Sequence, residues 1–512
     1  MNRFDLRPYQ RDCVDAILTK FREYRRLLAV VPTAGGKTVI FSTLAQRTQP
    51  VRTLILAHRE ELLTQAADKL HRATGLVAET ERAECHASLD APVVVASVQT
   101  LMREKRLAAW PADHFGLVVV DEAHHALADS YQRVLAHFHD HAKILGVTAT
   151  PDRGDQKNLG SYFEEIAFEI GLHDLIHQGF LARIAVRTIP VRIDLGAVRT
   201  TAGDYNDADL GDAIEPVLRE IVASLRAAIG TRKTLVFLPL VRTSRNFVKL
   251  CTEAGFTAAH IDGESIDRRL LLARFAAGEF QILSNSMLLT EGFDEPSIEC
   301  VVCLRPTKVR ALYAQIVGRG TRLHPSKENL LVLDFLWMTE RHTLVRPAHL
   351  VASTPEIADA MIAQSQAAAG IDEPLDLLDA ETDAKAQRES TLAAEIAAHS
   401  RKTSQLLDPV ELALSLHEVE LADYQPTMGW HEQPATAKQL ATLQQLGVDP
   451  GLVRNKGHAS ALLDTLFSRR SQRLATPKQV AWLRRTNHPS PQSVSFADAQ
   501  RWLAERFNRR AA

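Results

Sequence analysis

The chain has 512 residues and a formal net charge of −2 at pH 7, and 46% of its residues are apolar. At ~150 residues per domain, this length predicts about three domains with ordinary cores. The near-zero net charge excludes a uniformly basic nucleic-acid coat, and five cysteines exclude a disulfide framework. No apolar run approaches the ~18 residues that a membrane span needs, so we expect a cytoplasmic protein without membrane contact.

The first 340 residues alternate short apolar runs with helical patterns, which indicates parallel α/β units. The runs lack period-two alternation, as expected for strands that are covered on both faces. One set comprises residues 27–31, 54–58, 93–98, 116–122 and 144–150; a second set comprises residues 234–240, 281–287, 300–306 and 330–335. Two sets predict two stacked sheet domains, at residues 1–170 and 215–345, with a connector at residues 171–214.

Beyond residue 345 the sequence becomes rich in Ala, Glu and Leu at helical spacing. Residues 356–423 hold 15 acidic and 4 basic residues (net −11), whereas residues 431–512 hold 13 basic and 5 acidic residues (net +8). This pattern predicts an acidic helical spacer (346–430) and a small basic helical module (431–512), with a short repeat at 434–447 and 474–487. The basic module either contacts nucleic acid or has an ordinary solvated surface.

The sequence VPTAGGKT, at residues 31–38, turns from an apolar strand into a helix. Backbone N–H groups around Thr33, Gly35 and Gly36 can surround phosphate oxygens, helped by the helix N-terminus. Lys37 would reach the β- and γ-phosphates of a nucleotide, and Thr38 would bind Mg²⁺. The segment therefore predicts a binding site for ATP and Mg²⁺.

Two further motifs complete this chemistry. In VVVDEAHH (118–125), Asp121 would hold Mg²⁺, and Glu122 would orient and deprotonate the attacking water. In QIVGRGTR (315–322), Arg319 and Arg322 follow Gln315 at helical spacing. Guanidinium groups from a second domain can neutralise charge that develops on the γ-phosphate. The three motifs together predict a nucleic-acid-dependent motor ATPase.

These motifs, in this order, resemble superfamily-two helicases and translocases of the DEAH type, across about residues 5–340. The resemblance is to the group of type III restriction-enzyme helicase subunits, XPB-like helicases and RadD-like repair proteins. It implies two tandem RecA-like parallel-sheet domains, and the helical pattern beyond residue 345 predicts that an all-α C-terminal region follows them. It also implies an ATP-dependent DNA helicase or translocase. The alternatives are a motor subunit with a nuclease or repair-protein partner, and a non-catalytic ATP-gated binding or annealing module.

The resemblance also implies roles for individual residues. LRPYQ (6–10) is similar to an adenine-recognition motif in which Gln10 is the main residue and Arg7 its neighbour. The residues implied to contact nucleic acid are His58, Arg59, Ser97, Gln99, Thr100 and Thr290. The residues implied to couple hydrolysis to strand binding are His124, Thr148, Thr150, Gly292 and Asp294.

Two departures from the relatives' motifs bear on these expectations. Ala34 stands where relatives often have glycine, and we expect it to be tolerated because Gly35 and Gly36 remain. Ile316 and Val317 stand where RNA-processing DEAH enzymes tend to have Arg-Ala. That difference, together with an acidic motif that reads DEAH rather than DEAD, favours DNA over RNA as the nucleic acid that the protein binds.

Overall fold

The computed structural model describes most of the chain, and two compact units can be distinguished. The described residues are 6–57, 60–149, 159–201, 203–265, 267–286, 289, 293–338, 344–371, 373–399, 409–416, 418–426, 429–486 and 488–508. The first unit comprises residues 1–155, 161–351 and 362–380, and the second comprises residues 156–160, 352–361 and 381–512. Among the described residues, no helix has the length and apolar character needed to cross a bilayer.

The first part of unit one is built on a seven-stranded parallel sheet. Its strands are β1 (Arg26–Val30), β2 (Thr53–Ala57), β3 (Ala78–Glu81), β4 (Val93–Ser97), β5 (Leu117–Asp121), β6 (Lys143–Thr148) and β7 (Glu165–Glu169). Its helices are α1 (Pro8–Lys20), α2 (Lys37–Arg47), α3 (Glu60–Thr74), α4 (Val98–Leu101), α5 (Glu104–Leu107), α6 (Asp129–Phe138) and α7 (Leu172–His177). The strand order is β3-β4-β2-β5-β6-β1-β7. The central strands are buried on both faces, which explains their continuous apolar sequence.

A second seven-stranded sheet follows, parallel except for one short edge strand. Its strands are β8 (Ile184–Asp194), β11 (Thr234–Phe237), β12 (Ala258–Ile261), β13 (Ile282–Asn285), β14 (Cys300–Cys303), β15 (Leu330–Met338) and β16 (Leu375–Asp376), and a separate hairpin joins β9 (Thr200–Thr201) to β10 (Asp204–Tyr205). Its helices include α8 (Asp207–Ile214), α9 (Leu218–Ile229), α10 (Val241–Glu253), α11 (Arg268–Ala276), α12 (Arg310–Gly318) and α13 (Ala348–Val351). The order is β12-β13-β11-β14-β15-β8-β16, with β16 antiparallel to β8.

The predicted fold class of two parallel-sheet domains is confirmed, and all nine predicted strands are present. Strands β3, β7, β8 and β12 were not predicted, because they are short, polar or alternating in burial. The segment expected to be a connector, residues 171–214, contains α7, β8, the hairpin and α8. Strand β8 pairs with β15 over most of its length and is therefore an integral part of the second sheet.

Parallel strands place the functional loops at one edge of each sheet. The loop after β1 leads into α2, and β5 ends at Asp121, so both motifs lie at the carboxyl edge of the first sheet. In the second sheet, the loop after β13 leads to Asp294, and α12 follows β14. Ligands of open α/β sheets bind at this edge.

The remaining helices are short, apart from α15 and α19. They are α14 (Pro355–Ala367), α15 (Leu377–His399), α16 (Pro409–Leu416), α17 (Val419–Ala422), α18 (Ala437–Gln445), α19 (Lys456–Ser471), α20 (Pro477–Arg485) and α21 (Phe496–Asn508). The predicted helical character of the C-terminal region is confirmed for its described residues, except that β16 of the predicted spacer pairs with β8 at the edge of the second sheet.

The short repeat extends further than its first helix. Residues 435–470 and 475–510 align without a gap at an offset of 40 residues. In each copy a threonine capping box opens the first helix, at Thr436 and Thr476. A polar N-cap then opens the second helix, at Asn455 and at Ser495, whose hydroxyl accepts a hydrogen bond from Asp498 N at 3.2 Å. The module is thus two copies of one unit of two helices joined by a longer connection.

Candidate active site

Loops from both sheets of unit one line a cavity of about 530 Å³. Residues of the first domain that line it include Arg7, Thr33, Ala34, Gly36, Lys37, Thr38, Lys69, Arg72, Asp121 and Glu122. Lining residues that come after the first domain in the chain include Phe180, Phe293, Asp294, Arg319 and Arg322. The cavity therefore brings the phosphate-loop, acidic and arginine motifs together in one place.

The phosphate loop has the backbone geometry of an anion site. Ala34 and Gly36 have φ angles of 69° and 81°, and Gly36 is the N-cap of α2. A Cβ at Gly35 would lie 2.7 Å from Val31 Cγ1, so the loop has no room for a larger residue there. Alternating left-handed residues at a helix N-terminus turn successive N–H groups toward one point. Ala34 adopts a left-handed backbone that costs a non-glycine residue about 1–2 kcal/mol.

Gln10 and Tyr9 pack against this loop. The Gln10 amide is buried and donates from Nε2 to the Gly35 carbonyl at 3.3 Å, and the Tyr9 hydroxyl donates to the same oxygen at 2.7 Å. Arg7 lies at the cavity, donates from Nη1 to the Phe180 carbonyl at 3.0 Å and lies over the Phe180 ring. The predicted adenine-recognition residues therefore adjoin the phosphate loop, and Phe180 adds an aromatic ring to the cavity wall.

Lys37 and Glu122 form an ion pair at the centre of the site. The Lys37 Nζ and Glu122 Oε1 atoms are 2.7 Å apart, and both side chains are nearly buried. Glu122 has a φ angle of 51°, unusual for a residue other than glycine, and its N–H donates to Asp121 Oδ1 at 3.0 Å. Strained backbone of this kind is concentrated at functional sites, where surrounding structure holds it.

Asp294 holds the second arginine of the site. Arg322 Nε lies 2.8 Å from Asp294 Oδ1, and Lys69 of α3 lies 2.9 Å from Asp294 Oδ2. Burial acts to raise the pKa of the Asp294 carboxyl, but Arg322 and Lys69 outweigh it and hold that pKa below its ordinary value. Arg319 is buried and donates from Nη1 to the Phe293 carbonyl at 2.9 Å.

Two buried polar atoms at the cavity lack a protein partner. Within the part of the chain that the structure describes, Thr33 Oγ1 and Arg322 Nη1 have no hydrogen-bond partner. A buried donor without an acceptor is unfavourable by about 1–3 kcal/mol, more when it is charged. An anion with several acceptor oxygens would satisfy both, and the phosphate loop opposite offers N–H groups to the same ligand. The residues present therefore fit a nucleoside triphosphate.

Lys327 binds the backbone of two loops, the one that carries the two arginines and the one that follows Asp294. Its Nζ donates to the carbonyl oxygens of Pro296, Ile298 and Gly320 at 3.0, 3.0 and 2.8 Å. Gly320 stands between Arg319 and Arg322, and Pro296 follows Asp294 by two residues. All three donors of the ammonium group are used on backbone, so Lys327 fixes the position of both loops.

Replacing Lys327 with methionine is expected to lower kcat for ATP hydrolysis about tenfold, because misplaced arginines stabilise the transition state less. Burial, reinforced by the charge of Arg322, lowers the pKa of the Lys327 ammonium to about 8. The group therefore loses its proton as pH rises through about 8, and the rate of the unsubstituted protein should fall there. Rate–pH profiles of the protein and of Lys327→Met test this.

The variant should lack that alkaline decline. Lys143→Met is the matched control, because Lys143 also donates to a backbone carbonyl, that of Phe21, but does not line the cavity. An alkaline decline that survives in Lys327→Met would assign it to another group and contradict the prediction.

Gln315, His124 and Thr148 were also predicted to act in ATP binding or in coupling. Gln315 is buried on α12, and a Cβ on Gly318 at the end of that helix would lie 2.5 Å from Thr33 Cβ. His124 Nδ1 lies 3.5 Å from Glu122 Oε2, and Thr148 is buried at the end of β6. The end of α12 thus contacts the phosphate loop, and His124 adjoins Glu122.

Only some of the residues implied to contact nucleic acid lie in the described part of the chain. Ser97 donates to the exposed Gln99 side chain at 2.8 Å, whereas Thr100 is buried and accepts a hydrogen bond from Ala83 N at 3.1 Å. His58, Arg59, Thr150, Thr290 and Gly292 lie outside the described residues. The contacts to a strand therefore stay predictions.

Sequence reasoning missed Lys69, Arg72, Phe180 and Lys327. None of them belongs to the motifs that we quoted, and each reaches the site through tertiary packing of α3, the loop after α7 or the segment before β15. Spacing offered one signal, because Lys69 and Arg72 are three residues apart on α3 and therefore share a face.

Two tandem parallel-sheet domains, with a phosphate loop on one and paired arginines on the other, define the RecA-like helicase class. The family model "Type III restriction enzyme, res subunit" matches residues 3–153, and "Helicase conserved C-terminal domain" matches residues 217–324. The chain belongs to the superfamily-two helicases of the type III restriction-like group.

Individual relatives agree with this assignment. The chain is 32% identical to "Putative ATP-dependent helicase IRC3" of Saccharomyces cerevisiae over 65% of this chain and 51% of that protein. It is 27% identical to "Type I restriction enzyme EcoAI endonuclease subunit" of Escherichia coli, over 65% and 47%. The chain spans about half the length of these curated relatives. In fold it is similar to "ATP-dependent Type ISP restriction-modification enzyme LlaBIII bound to DNA" (TM-score 0.55, 14% identity, 91% of this chain and 43% of that one).

Proposed function

We propose that this protein is an ATP-dependent DNA helicase or translocase that couples ATP hydrolysis to movement on DNA or to its unwinding. The observation that supports this most directly is the shared cavity. There the phosphate loop and Glu122 face the same space as Arg319 and Arg322. A nucleotide in that space would contact both domains, so its hydrolysis can change how the domains bind a strand.

Each side chain has a distinct part in hydrolysis. Lys37 binds the β- and γ-phosphates, Glu122 accepts a proton from the attacking water, and the two arginines neutralise charge on the γ-phosphate. Thr38 and Asp121 would hold Mg²⁺, which supplies positive charge at the phosphates when bound. These carboxylate, hydroxyl and guanidinium groups suit phosphoryl chemistry, in which positioning and charge supply most of the catalysis.

The ion pairs of the site suggest how a nucleotide alters it. Lys37 is paired with Glu122, and Arg322 is paired with Asp294. Phosphate oxygens compete with Glu122 for Lys37, so nucleotide binding would free Glu122 to hold water. Arg322 would keep its Nε on Asp294 and offer its Nη1, unpartnered among the described residues, to the γ-phosphate.

The choice of DNA rests on the relatives and on the motif. The family description and the Escherichia coli relative are named as restriction enzymes, and the restriction-modification enzyme of similar fold is described as bound to DNA. The sequence Ile316–Val317 in the arginine motif points the same way. Phosphate contacts from loops at strand ends would make binding salt-dependent and independent of base identity.

Steady-state ATPase assays without nucleic acid and with single-stranded DNA, duplex DNA and RNA test the proposal. Stimulation by DNA that disappears in Lys37→Ala would support a DNA motor, and duplex-only stimulation would favour a translocase over a strand-separating helicase. Stimulation by RNA alone would reject the DNA assignment. ATP binding without hydrolysis under every condition would favour the gated-binding alternative.

Phe180→Ala is expected to raise KM for ATP about tenfold while changing kcat little. We place the adenine against the Phe180 ring, beside Arg7, where stacking is worth about 1–3 kcal/mol in comparable contacts between aromatic rings and bases. Phe180→Tyr should restore the KM, because it keeps the ring. Equal KM values for the alanine variant and the unsubstituted protein would place the base elsewhere.

A second candidate is a motor subunit of a DNA restriction or repair complex that includes a nuclease partner. It is favoured by the relative named as an endonuclease subunit, of which this chain spans 47%. The described residues of unit two form helices and contain no group of three or more metal-ligating side chains. Co-purification of a nuclease with the tagged full chain would support this candidate, and a fully active chain without partners would oppose it.

A further inference from the structure

Unit two contains a second cavity, of about 580 Å³, that the motor function does not use. It lies where the first copy of the internal repeat ends and the second begins. Aliphatic and aromatic side chains form its wall, among them Leu446, Leu466, Leu474, Pro477 and Phe496. Phe496 is 45% exposed although it is large and apolar. Exposed apolar surface around a concave site indicates a ligand or partner.

The uncharged polar side chains of this wall are already engaged. The Thr476 hydroxyl accepts from Gln479 N at 3.3 Å, and the Ser495 hydroxyl donates to Asp498 at 2.7 Å. A nucleic-acid base inserted here would bury its polar edges against leucine, alanine and proline without partners. The wall therefore favours an apolar side chain over a base.

Three arginines, Arg469, Arg470 and Arg473, add positive charge to the cavity. The Glu418 carboxylate acts on Arg469 from beyond ion-pair distance, and among the described residues Arg470 and Arg473 form no ion pair. Arg469 donates from Nη2 to the Ala475 carbonyl at 2.9 Å, but its buried Nε has no partner. Arg473 has a φ angle of 56°, a left-handed backbone that is unfavourable for arginine. An apolar wall with unpaired guanidinium groups is complementary to an apolar side chain flanked by carboxylates.

The internal repeat shows what fills the equivalent place in the first copy. Ala497 of the second copy corresponds to Gly457 of the first. A Cβ on Gly457 would lie 2.1 Å from the Tyr424 hydroxyl and 2.6 Å from His431 Cβ, because those rings cover it. In the second copy Ala497 is exposed and lines the cavity. One copy is therefore covered by aromatic side chains of its own chain, and the other is open.

We propose that this cavity binds an acidic peptide segment of a partner protein, anchored by one aromatic side chain. The ring occupies the apolar wall, as Tyr424 covers Gly457 in the first copy, and the carboxylates pair with the three arginines. Its lining residues differ from those of the ATP cavity, and it gives the motor a means of recruitment to an acidic partner.

Fluorescence anisotropy with the full chain tests the site. The probes are fluorescein-labelled peptides in which a run of aspartates is followed by one phenylalanine, tyrosine or tryptophan. Comparison probes replace the aromatic residue with alanine or the aspartates with lysine, and a labelled oligothymidylate represents single-stranded DNA. We expect binding of the acidic aromatic peptides and at least about tenfold weaker binding of both altered peptides, as loss of charge-assisted bonds or of a buried ring predicts.

Variants locate the binding. Arg470→Glu with Arg473→Glu should weaken peptide binding at least about tenfold, and Ala497→Trp should block it by filling the cavity. Lys438→Glu is the matched control, because Lys438 is exposed in the same module but does not line the cavity. Unchanged thermal unfolding and DNA-stimulated ATPase would show that the variants are folded. No binding by any acidic aromatic peptide, equal binding of the lysine peptide, or displacement of the peptide by oligothymidylate at this site would overturn the proposal.

Discussion

Replacing Arg322 with alanine should lower kcat for ATP hydrolysis by about 10³–10⁵-fold, the range typical of an arginine finger. The reason is geometric: Arg322 lines the nucleotide cavity, and its Nη1 atom is buried without a protein acceptor among the described residues. Its Nε atom is held by Asp294 at 2.8 Å. The guanidinium is therefore held in place by Asp294 on one edge, and its other edge is available to a ligand. We expect its loss to remove positive charge that stabilises the transition state more than the ground state.

Single-turnover hydrolysis beside ATP-binding measurements separates these effects. Arg322→Ala should bind ATP with nearly unchanged affinity, and Arg322→Lys should recover only part of the rate, because an ammonium group cannot bind Asp294 and a phosphate in the same fork geometry. Arg274→Ala is the matched control, since Arg274 belongs to the same domain but pairs with Glu279 away from the cavity. A variant that loses ATP affinity and keeps its kcat would assign Arg322 to ground-state binding instead.

Replacing Glu122 with glutamine should lower kcat about 10²–10⁴-fold while ATP still binds. Glutamine retains the shape of the side chain but cannot accept a proton from water at neutral pH. It also ends the ion pair with Lys37 at 2.7 Å, so the lysine becomes more available to phosphates. We therefore expect ATP affinity equal to or higher than that of the unsubstituted protein, measured by equilibrium binding of a fluorescent ATP analogue.

Lys37→Ala provides the contrast. It should lower both ATP affinity and kcat, and it should also lower the melting temperature, because it removes the positive charge 2.7 Å from the nearly buried Glu122 carboxylate. Combining Lys37→Ala with Glu122→Gln should recover much of that stability without recovering activity. A Glu122→Gln variant that hydrolyses ATP at the normal rate would exclude Glu122 as the base.

These experiments also bear on the alternatives. A chain that binds ATP and DNA without hydrolysis would be an ATP-gated binding module, for which Glu122 and the arginines would be dispensable. Their arrangement around one cavity argues for hydrolysis. Recruitment through the arginine-lined cavity of unit two can be tested separately, because the residues changed in its variants do not line the ATP cavity.

Much of the fold and of the nucleotide site could be predicted from the sequence. The continuous apolar runs identified nine strands, because a strand buried on both faces needs apolar residues at every position. The phosphate loop and the acidic motif are local, so their spacing alone places Gly36 and Lys37 at the start of a helix and Asp121 at the end of a strand. Strand β8 was not identified, since its sequence alternates and its pairing with β15 joins segments far apart in the chain.

The sequence by itself determined the class of this protein, because short-range backbone geometry and strand burial leave strong local patterns. Only the tertiary structure decided which cations pair with which carboxylates: Lys37 with Glu122, and Arg322 and Lys69 with Asp294. It also placed Lys327 behind the arginines and left the second repeat open where the first is covered. These contacts join residues far apart in the chain. The energies of such contacts depend on distance and burial, which no local spacing encodes.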